Sequence, residues 1–189
     1  WTLPKNHIKV DLFQVAYSGN AELDYERYFN NGSSVLFSVG YIFNGLSTSS
    51  ENYERTGFTG ELQGRKYLLP YEPDNIIRFY MGSFFRYRFV QYTREETINQ
   101  EINGALTDVT YQSIDQFTSF FGGVTLGINL YAGRHVVLDL FTGCGIKING
   151  RVIAPDQYDY IVTNNFGALI SPGYAGVLPR FGLKIGGAF

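Results

Sequence analysis

The chain has 189 residues and a single cysteine, Cys144, so no disulfide can form within it. Small secreted domains often rely on several such bridges, and stability here must come from another source. No run approaches the ~18 consecutive apolar residues that a transmembrane helix requires. Charge is also scarce. Asp, Glu, Lys and Arg make up 17% of the chain and the formal net charge is −2. With no basic excess, the composition argues against a nucleic-acid partner, which would select a cationic face. Only two histidines occur, His7 and His135, so the usual zinc ligand sets are not on offer. Neither a metal nor a cofactor is expected. The chain begins at Trp1 and not at Met, so an N-terminal signal is expected to have been removed.

Aromatics and glycine are abundant, with 15 Tyr, 16 Phe and 22 Gly. Tyr and Phe favour strands, and Gly marks turns, bulges and close backbone approach. No helical period runs for more than a few turns, whereas eight stretches alternate with a period of two. They are read as His7 to Tyr17, Ala21 to Phe29, Ser34 to Phe43, Phe58 to Leu68, Ile76 to Tyr92, Phe117 to Tyr131, Val136 to Asn149 and Arg180 to Phe189. The end of the first stretch, "LFQVAY", loses the alternation and predicts a bulge. The connections also fall into two kinds. "NNGSS", "LPYEPDN" and "AGRH" are short or modest, whereas 44–57, 93–116 and 150–177 are long loops. "SGN" is the only short connection on the long-loop side.

Alternation alone does not choose between a soluble sandwich and a barrel in lipid. The apolar faces decide it. They carry Phe, Tyr, Leu, Ile and Val on nearly every strand, and no helical layer is available to cover them. Two packed sheets would leave open edges, whereas closure removes the edges and lipid removes the need for a second layer. The expected fold is therefore all-β: one domain over residues 1–189, an eight-stranded antiparallel up-and-down transmembrane β-barrel. Short turns on one side and long loops on the other match the outer-membrane plan. An even strand count places both termini on the periplasmic side.

The charged face then looks inward. Its cations are Lys9, Arg65, Arg78, Arg86, Arg88, Lys147, Arg180 and Lys184, and its anions are Asp11, Glu22, Asp24, Glu26, Glu61 and Asp139. Eight strands leave room only for their own side chains, and an unpaired charge there would cost several kcal/mol. The near balance therefore predicts a hydrogen-bonded plug and not an open channel.

The closing "PRFGLKIGGAF" resembles the last-strand signal of bacterial outer-membrane barrels, which ends in Phe and is read by the assembly machinery. Phe181, Leu183, Ile185 and Phe189 are the residues that match it. The segments "KVDLFQVAYSGNAELDYERYF", "SVLFSVGYIFN", "FYMGSFFRYRF", "FFGGVTLGINLYAG" and "VVLDLFTGCGIKIN" resemble a family of small outer-membrane barrels of Bacteroidota. The likeness covers most of the chain outside the two longest loops. It implies an OmpA/OmpX-like architecture, expected here without a peptidoglycan-binding domain, and no catalytic residues.

Several residues invite a sharper reading, and each has a plainer one. His7 and His135 are expected as solvated rim residues. Cys144 falls on the lipid face as a small apolar filler, with no neighbouring cation in sequence to favour a thiolate. "ELDYER" (Glu22 to Arg27) gathers three carboxylates on one face, but no nucleophile or histidine accompanies them. Salt bridges to Arg65, Arg86, Arg88 or Arg180 explain them. Loop 93–116 is acidic without calcium-loop spacing and reads as a solvated loop. Loop 150–177 is long, nearly uncharged and aromatic. Tyr158, Tyr160, Phe166 and Tyr174 either pack over the barrel mouth or dock on a partner. Gly123, Gly127, Gly143 and Gly145 either leave a cavity or make room for Arg and Tyr from opposite strands.

The sequence therefore points to a non-enzymatic outer-membrane barrel, a structural or accessory subunit of a larger complex. Its partners would be membrane lipid, the assembly machinery and another outer-membrane protein, bound through loops or barrel wall. A small-ligand binding or transport barrel is the alternative, and an outer-leaflet enzyme is the weakest reading.

Overall fold

The computed structural model describes residues 4–29, 31–44, 53–68, 76–102, 105–133, 135–153 and 175–189. Eight strands close into an antiparallel barrel in chain order. They are β1 (Asn6–Asp11), β2 (Asn20–Phe29), β3 (Ser33–Ile42), β4 (Tyr53–Tyr67), β5 (Ile77–Ile102), β6 (Ala105–Ala132), β7 (Val136–Ile153) and β8 (Gly176–Ala188). β1 seals the wall against β8, with Val10 opposite Ile185 and Asp11 opposite Lys184. The two ends of the chain meet at one rim, where Asn6 N donates to Phe189 O at 3.1 Å and Phe189 N to Asn6 O at 2.9 Å. That rim is called proximal here, and the opposite one distal.

The two-residue period sorts the side chains. Along β2, Asn20, Glu22, Asp24, Glu26 and Tyr28 are buried, while Leu23, Tyr25 and Phe29 are exposed. The same rule inverts the usual polarity around the whole wall. Lys9, Asp24, Glu26, Asp139 and Lys184 are 0% exposed, whereas Phe37 is 53% and Leu62, Leu126 and Phe181 are each 55% exposed. The closed wall thus has a charged interior and an apolar exterior.

The register sets how the interior residues meet. Val137 lies opposite Gly186, which also pairs with Lys9, and Lys9 pairs with Asp24. The row continues through Ser38, Glu61, Arg86 and Phe121. It returns to β7 at Lys147, ten residues beyond its start at Val137. This stagger tilts the strands, so residues in register on distant strands stand at different heights. Those that meet across the lumen come from different rows.

Four expectations are corrected. The first strand ends at Asp11, and "LFQVAY" contains a π-helical turn (Gln14–Ser18) in place of a bulge. The Asp11 carboxylate accepts from Gln14 N at 2.9 Å, and Gly19 (φ 61°) closes the turn through its N–H to Gln14 O. A short acid that binds the backbone three residues on stops a strand in this way. Second, 93–116 is not a loop. β5 and β6 stay paired from Tyr92–Asp115 up to Ile102–Ala105. β4 accompanies β5 to Tyr53–Arg94, and β7 accompanies β6 to Gln116–Ile153. Among the described residues, β5 and β6 then continue as a two-stranded ribbon. Without a closed wall to set an inner and an outer side, the sequence of a two-stranded ribbon need not alternate. Third, β4 begins within 44–57, at Tyr53, and β7 and β8 extend into 150–177. Residues 154–174, with Tyr158, Tyr160, Phe166 and Tyr174, lie outside the described residues. Fourth, His7 is buried against Tyr28, at a ring separation of 4.6 Å, and is not a solvated rim residue. It shares the inward parity of Lys9 and Asp11. His135 is exposed.

The inner glycines make room for neighbours and do not form a void. A Cβ on Gly127 would stand 2.3 Å from Tyr80 Cζ, and one on Gly182 would stand 2.3 Å from Phe141 Cζ. Gly123, Gly143 and Gly145 instead abut the backbone of the adjacent strand. Tyr80 cannot yield easily, because its hydroxyl donates to Asp139 at 2.8 Å and Arg65 covers its ring at 4.2 Å. Gly127→Ala is expected to lower unfolding free energy by about 1–3 kcal/mol through overpacking. Gly64→Ala, with nothing within 4 Å of the added atom, should leave it nearly unchanged. Urea titration of the folded protein in detergent checks the contrast.

Candidate functional site

The lumen is the feature that concentrates chemistry, and it is layered. Nearest the proximal rim is an aromatic plug. Asn129 Nδ2 donates to the hydroxyls of Tyr28 (2.7 Å) and Tyr67 (2.8 Å), and those two hydroxyls lie 2.5 Å apart. Tyr131 reaches Tyr28 at 3.3 Å. The Arg78 guanidinium lies over the rings of Tyr67 (4.2 Å) and Tyr28 (5.0 Å), a geometry that the negative faces of the rings favour.

Above the plug is a four-charge cluster. Lys9 Nζ bonds Glu26 at 2.5 Å and Asp139 at 2.7 Å, and Arg65 bonds Asp139 at 2.7 Å and Glu26 at 3.3 Å. Two cations and two anions therefore share all four contacts. The remaining lone pairs are also used. Ser34 (2.5 Å) and Tyr67 (3.0 Å) donate to the other Glu26 oxygen, and Tyr80 donates to the other Asp139 oxygen. Gln63 accepts from Arg65 Nε at 2.6 Å. Charges at 0–1% exposure are tolerable only with this degree of satisfaction.

A second cluster lies further toward the distal rim. Lys184 contacts Asp24 at 2.6 Å and Glu22 at 3.2 Å. Arg86 takes Glu22 through Nη2 (2.9 Å) and Glu61 through Nε (2.6 Å), and Arg180 takes the other Glu61 oxygen at 2.7 Å. Arg180 also lies over Phe84 at 4.3 Å and Phe141 at 4.8 Å. The chain of pairs runs Asp24, Lys184, Glu22, Arg86, Glu61, Arg180 and spans the lumen.

Of the charges expected inside, ten therefore fall into these two clusters. The other four are placed differently. Asp11 caps the π-helical turn and Arg78 lies on the tyrosines. Arg88 and Lys147 lie above the second cluster, toward the distal rim, with Arg55 nearby on β4. Sequence reasoning placed Tyr80 on the inner face but overlooked Arg55 and the rest of the tyrosine layer. All of them share the inward parity of their strands, a signal that the aromatic character of Tyr28, Tyr67, Tyr80 and Tyr131 conceals. Phe181, Ile185 and Phe189 lie exposed on the outer face, and Leu183 is half-buried there. Cys144 is exposed on the same face.

Among the described residues, every carboxylate in the two clusters is engaged by a cation. A concavity of about 660 Å³ lies on the outer wall across β5 to β8, between Phe79, Leu126, Leu140 and Phe181. Its lining is almost wholly apolar.

The chain is similar in structure to the N-terminal β-barrel domain of Pseudomonas aeruginosa OprF. Identity is 10%, the match covers 97% of this chain and 95% of that one, and the TM-score is 0.44. It is also similar to Neisserial surface protein A, at 9% identity over 97% and 93% of the two chains with a TM-score of 0.48. No family model matches the chain, and no curated protein matches it.

Asp139→Asn keeps the shape but leaves Lys9 and Arg65 with one carboxylate between them. Breaking a buried pair from one side should lower unfolding free energy by about 3–5 kcal/mol. Asp11→Asn keeps an oxygen that can accept from Gln14 N and lies outside the direct ion pairs, so it should cost no more than about 0.5–2 kcal/mol. Equal losses in a denaturant titration would mean that the cluster is not what holds the lumen together.

Proposed function

We propose that this chain is a non-enzymatic outer-membrane β-barrel, a structural or accessory subunit that binds a partner on the outer side of the membrane. The observation that carries this reading is the combination of an apolar outer wall with a lumen filled by its own ion pairs. Only hydrocarbon is a favourable solvent for a closed ring of Phe, Leu, Ile and Val side chains, and closure satisfies the backbone without water. A plugged barrel has little to conduct. That leaves the surfaces beyond the wall as the place for recognition.

In this reading the proximal rim, with both termini, faces the periplasm. A hydrocarbon layer takes ~9–11 residues of tilted strand, close to the 10 of β2 and β3. β5 and β6 have 26 and 28, so the ribbon projects well past the distal rim. A ribbon has backbone donors and acceptors on its outer edges, and a partner's extended segment can add to them. Residues 154–174, which hold the four aromatics, connect strands at the same rim. Phe181, Leu183, Ile185 and Phe189 serve assembly in this reading. The outer-wall concavity favours a second mode, contact with another membrane protein's apolar surface inside the bilayer.

Two experiments test this. Leu126→Arg on the outer wall should cost about 2–4 kcal/mol for a protein folded in lipid. The same change on a water-facing surface would be nearly neutral, and a detergent-free soluble monomer would refute the membrane reading outright. Shortening the ribbon to Arg94–Ser113, or deleting 154–174, should abolish co-purification of a partner from gently solubilised membranes. The barrel should still shift in gel mobility on heating. A complex that survives both deletions defeats recognition beyond the wall.

A further inference from the structure

The outer-wall concavity has a definite shape, set by the strand register. Phe79, Ile128, Leu140 and Leu183 form one outward row across β5 to β8, and Leu126, Thr142 and Phe181 belong to the next. Between them runs the row Tyr80, Gly127, Phe141 and Gly182. Its two rings point into the lumen, where Tyr80 is 1% and Phe141 7% exposed. Outside, this row presents backbone that belongs to the ladders of β5 to β8. The concavity is therefore a groove with a backbone floor and two side-chain banks. Thr142 is short and leaves a gap in its bank between Leu126 and Phe181. Phe13 bounds one end. By the parity of Asp11 it would face the lumen, but the π-helical turn that it caps brings it outside, its ring 5.0 Å from that of Phe181. Leu68, just past β4, bounds the other end.

Shape and chemistry select the occupant. Side chains on one face of a strand repeat every ~6.6–6.8 Å, and the floor is a single residue row. A transmembrane helix, about 10–12 Å across with its side chains, rides on the banks and cannot enter. A second barrel is convex and touches only their crests. From Leu68 to Phe13 the groove crosses five strand spacings, ~24 Å. That exceeds the ~15 Å that one leaflet contributes to a ~30 Å hydrocarbon core. Among the lining side chains, the Tyr80 hydroxyl is turned inward to Asp139, so Thr142 brings the one hydroxyl near the groove. A polar group would find almost nothing to orient it. A single linear hydrocarbon chain matches the width, the length and the lining. Lipid tails are as apolar as Leu, so retention comes from fit and not from transfer out of water.

We propose that this groove is a binding site for one acyl chain of a bilayer phospholipid. The assignment rests on the membrane reading of the wall and deepens it by naming what fills the concavity. A partner protein laid over the same face would cover the chain and not replace it.

The probe is a phosphatidylcholine with a diazirine midway along its palmitoyl chain, titrated into the full protein in octyl glucoside, whose chains are too short to fill the groove. Adducts formed on irradiation are mapped by peptide mass spectrometry. They should saturate, and Leu126, Leu140 and Phe181 should be labelled roughly tenfold above Phe37 and Leu62, the ratio that ~1.4 kcal/mol of preference gives. Phe37 and Leu62 are comparably exposed but lie outside the groove. Thr142→Phe fills the gap between the banks and should remove most of that excess. Leu62→Phe should preserve it. Unboiled gel mobility reports whether each variant is folded. Should Thr142→Phe fail to fold, competition on the unaltered protein gives a second readout. Unlabelled dipalmitoylphosphatidylcholine should displace the probe from the groove, and dioctanoylphosphatidylcholine should not. Labelling that follows exposure around the whole wall, or an excess that Thr142→Phe leaves intact, would overturn the proposal. So would a dimer of this chain that shields the groove from the probe. Any of these in a protein that stays in the micelle leaves the membrane reading standing, whereas a detergent-free soluble monomer defeats both.

Discussion

The four-way contact of Lys9, Glu26, Arg65 and Asp139 ties together strands β1, β2, β4 and β7, of which only β1 and β2 are neighbours in the wall. Neighbouring strands are already fixed by backbone hydrogen bonds, but nothing in a sheet prevents the ring from flattening or opening across its diameter. A cluster at the axis does. It is also demanding, because a charge with no water nearby destabilises the fold unless each lone pair and each proton has a partner. Tyr67, Ser34, Gln63 and Tyr80 are therefore as necessary as the charges.

The same constraint explains the composition. The inner wall must hold ionic and aromatic groups in a space that eight strands barely enclose. Where Tyr80 and Phe141 fill it, Gly127 and Gly182 give way on the facing strand. The outer wall has no partner within the chain and needs only to be apolar. A ring of exposed Phe, Leu and Ile would be an aggregation hazard in water, and it is the appropriate surface in hydrocarbon. The two faces thus follow different rules. Inside, each residue is specified by its contacts. Outside, class matters more than identity.

In the middle of the lumen the two ion clusters set five cations against five anions. The two ion clusters leave no carboxylate to spare, and Arg88 stands above them beside Arg55 and Lys147. The paired charges therefore seal the barrel in its middle.

Much of this was legible in the chain before any coordinates. Strict two-residue alternation with charges on one side fixes which residues face inward, because successive side chains on a strand must point opposite ways. Large apolar groups on the other side, with no helix to cover them, require closure. By the same parity His7 belongs with Lys9 and Asp11, and the Asn103–Gly104 dipeptide between β-rich runs is a hairpin signal. Both were available and are easily passed over. The identity of the ion pairs was not available. Alternation gives the face of a residue but not its height, and height depends on the ten-residue stagger that appears only when the wall closes. The stagger brings Lys9 to Asp139 and Arg180 to Glu61. It also carries Lys147 up beside Arg88. The strand faces were thus set by local geometry, and the partners by the global tilt of the closed sheet.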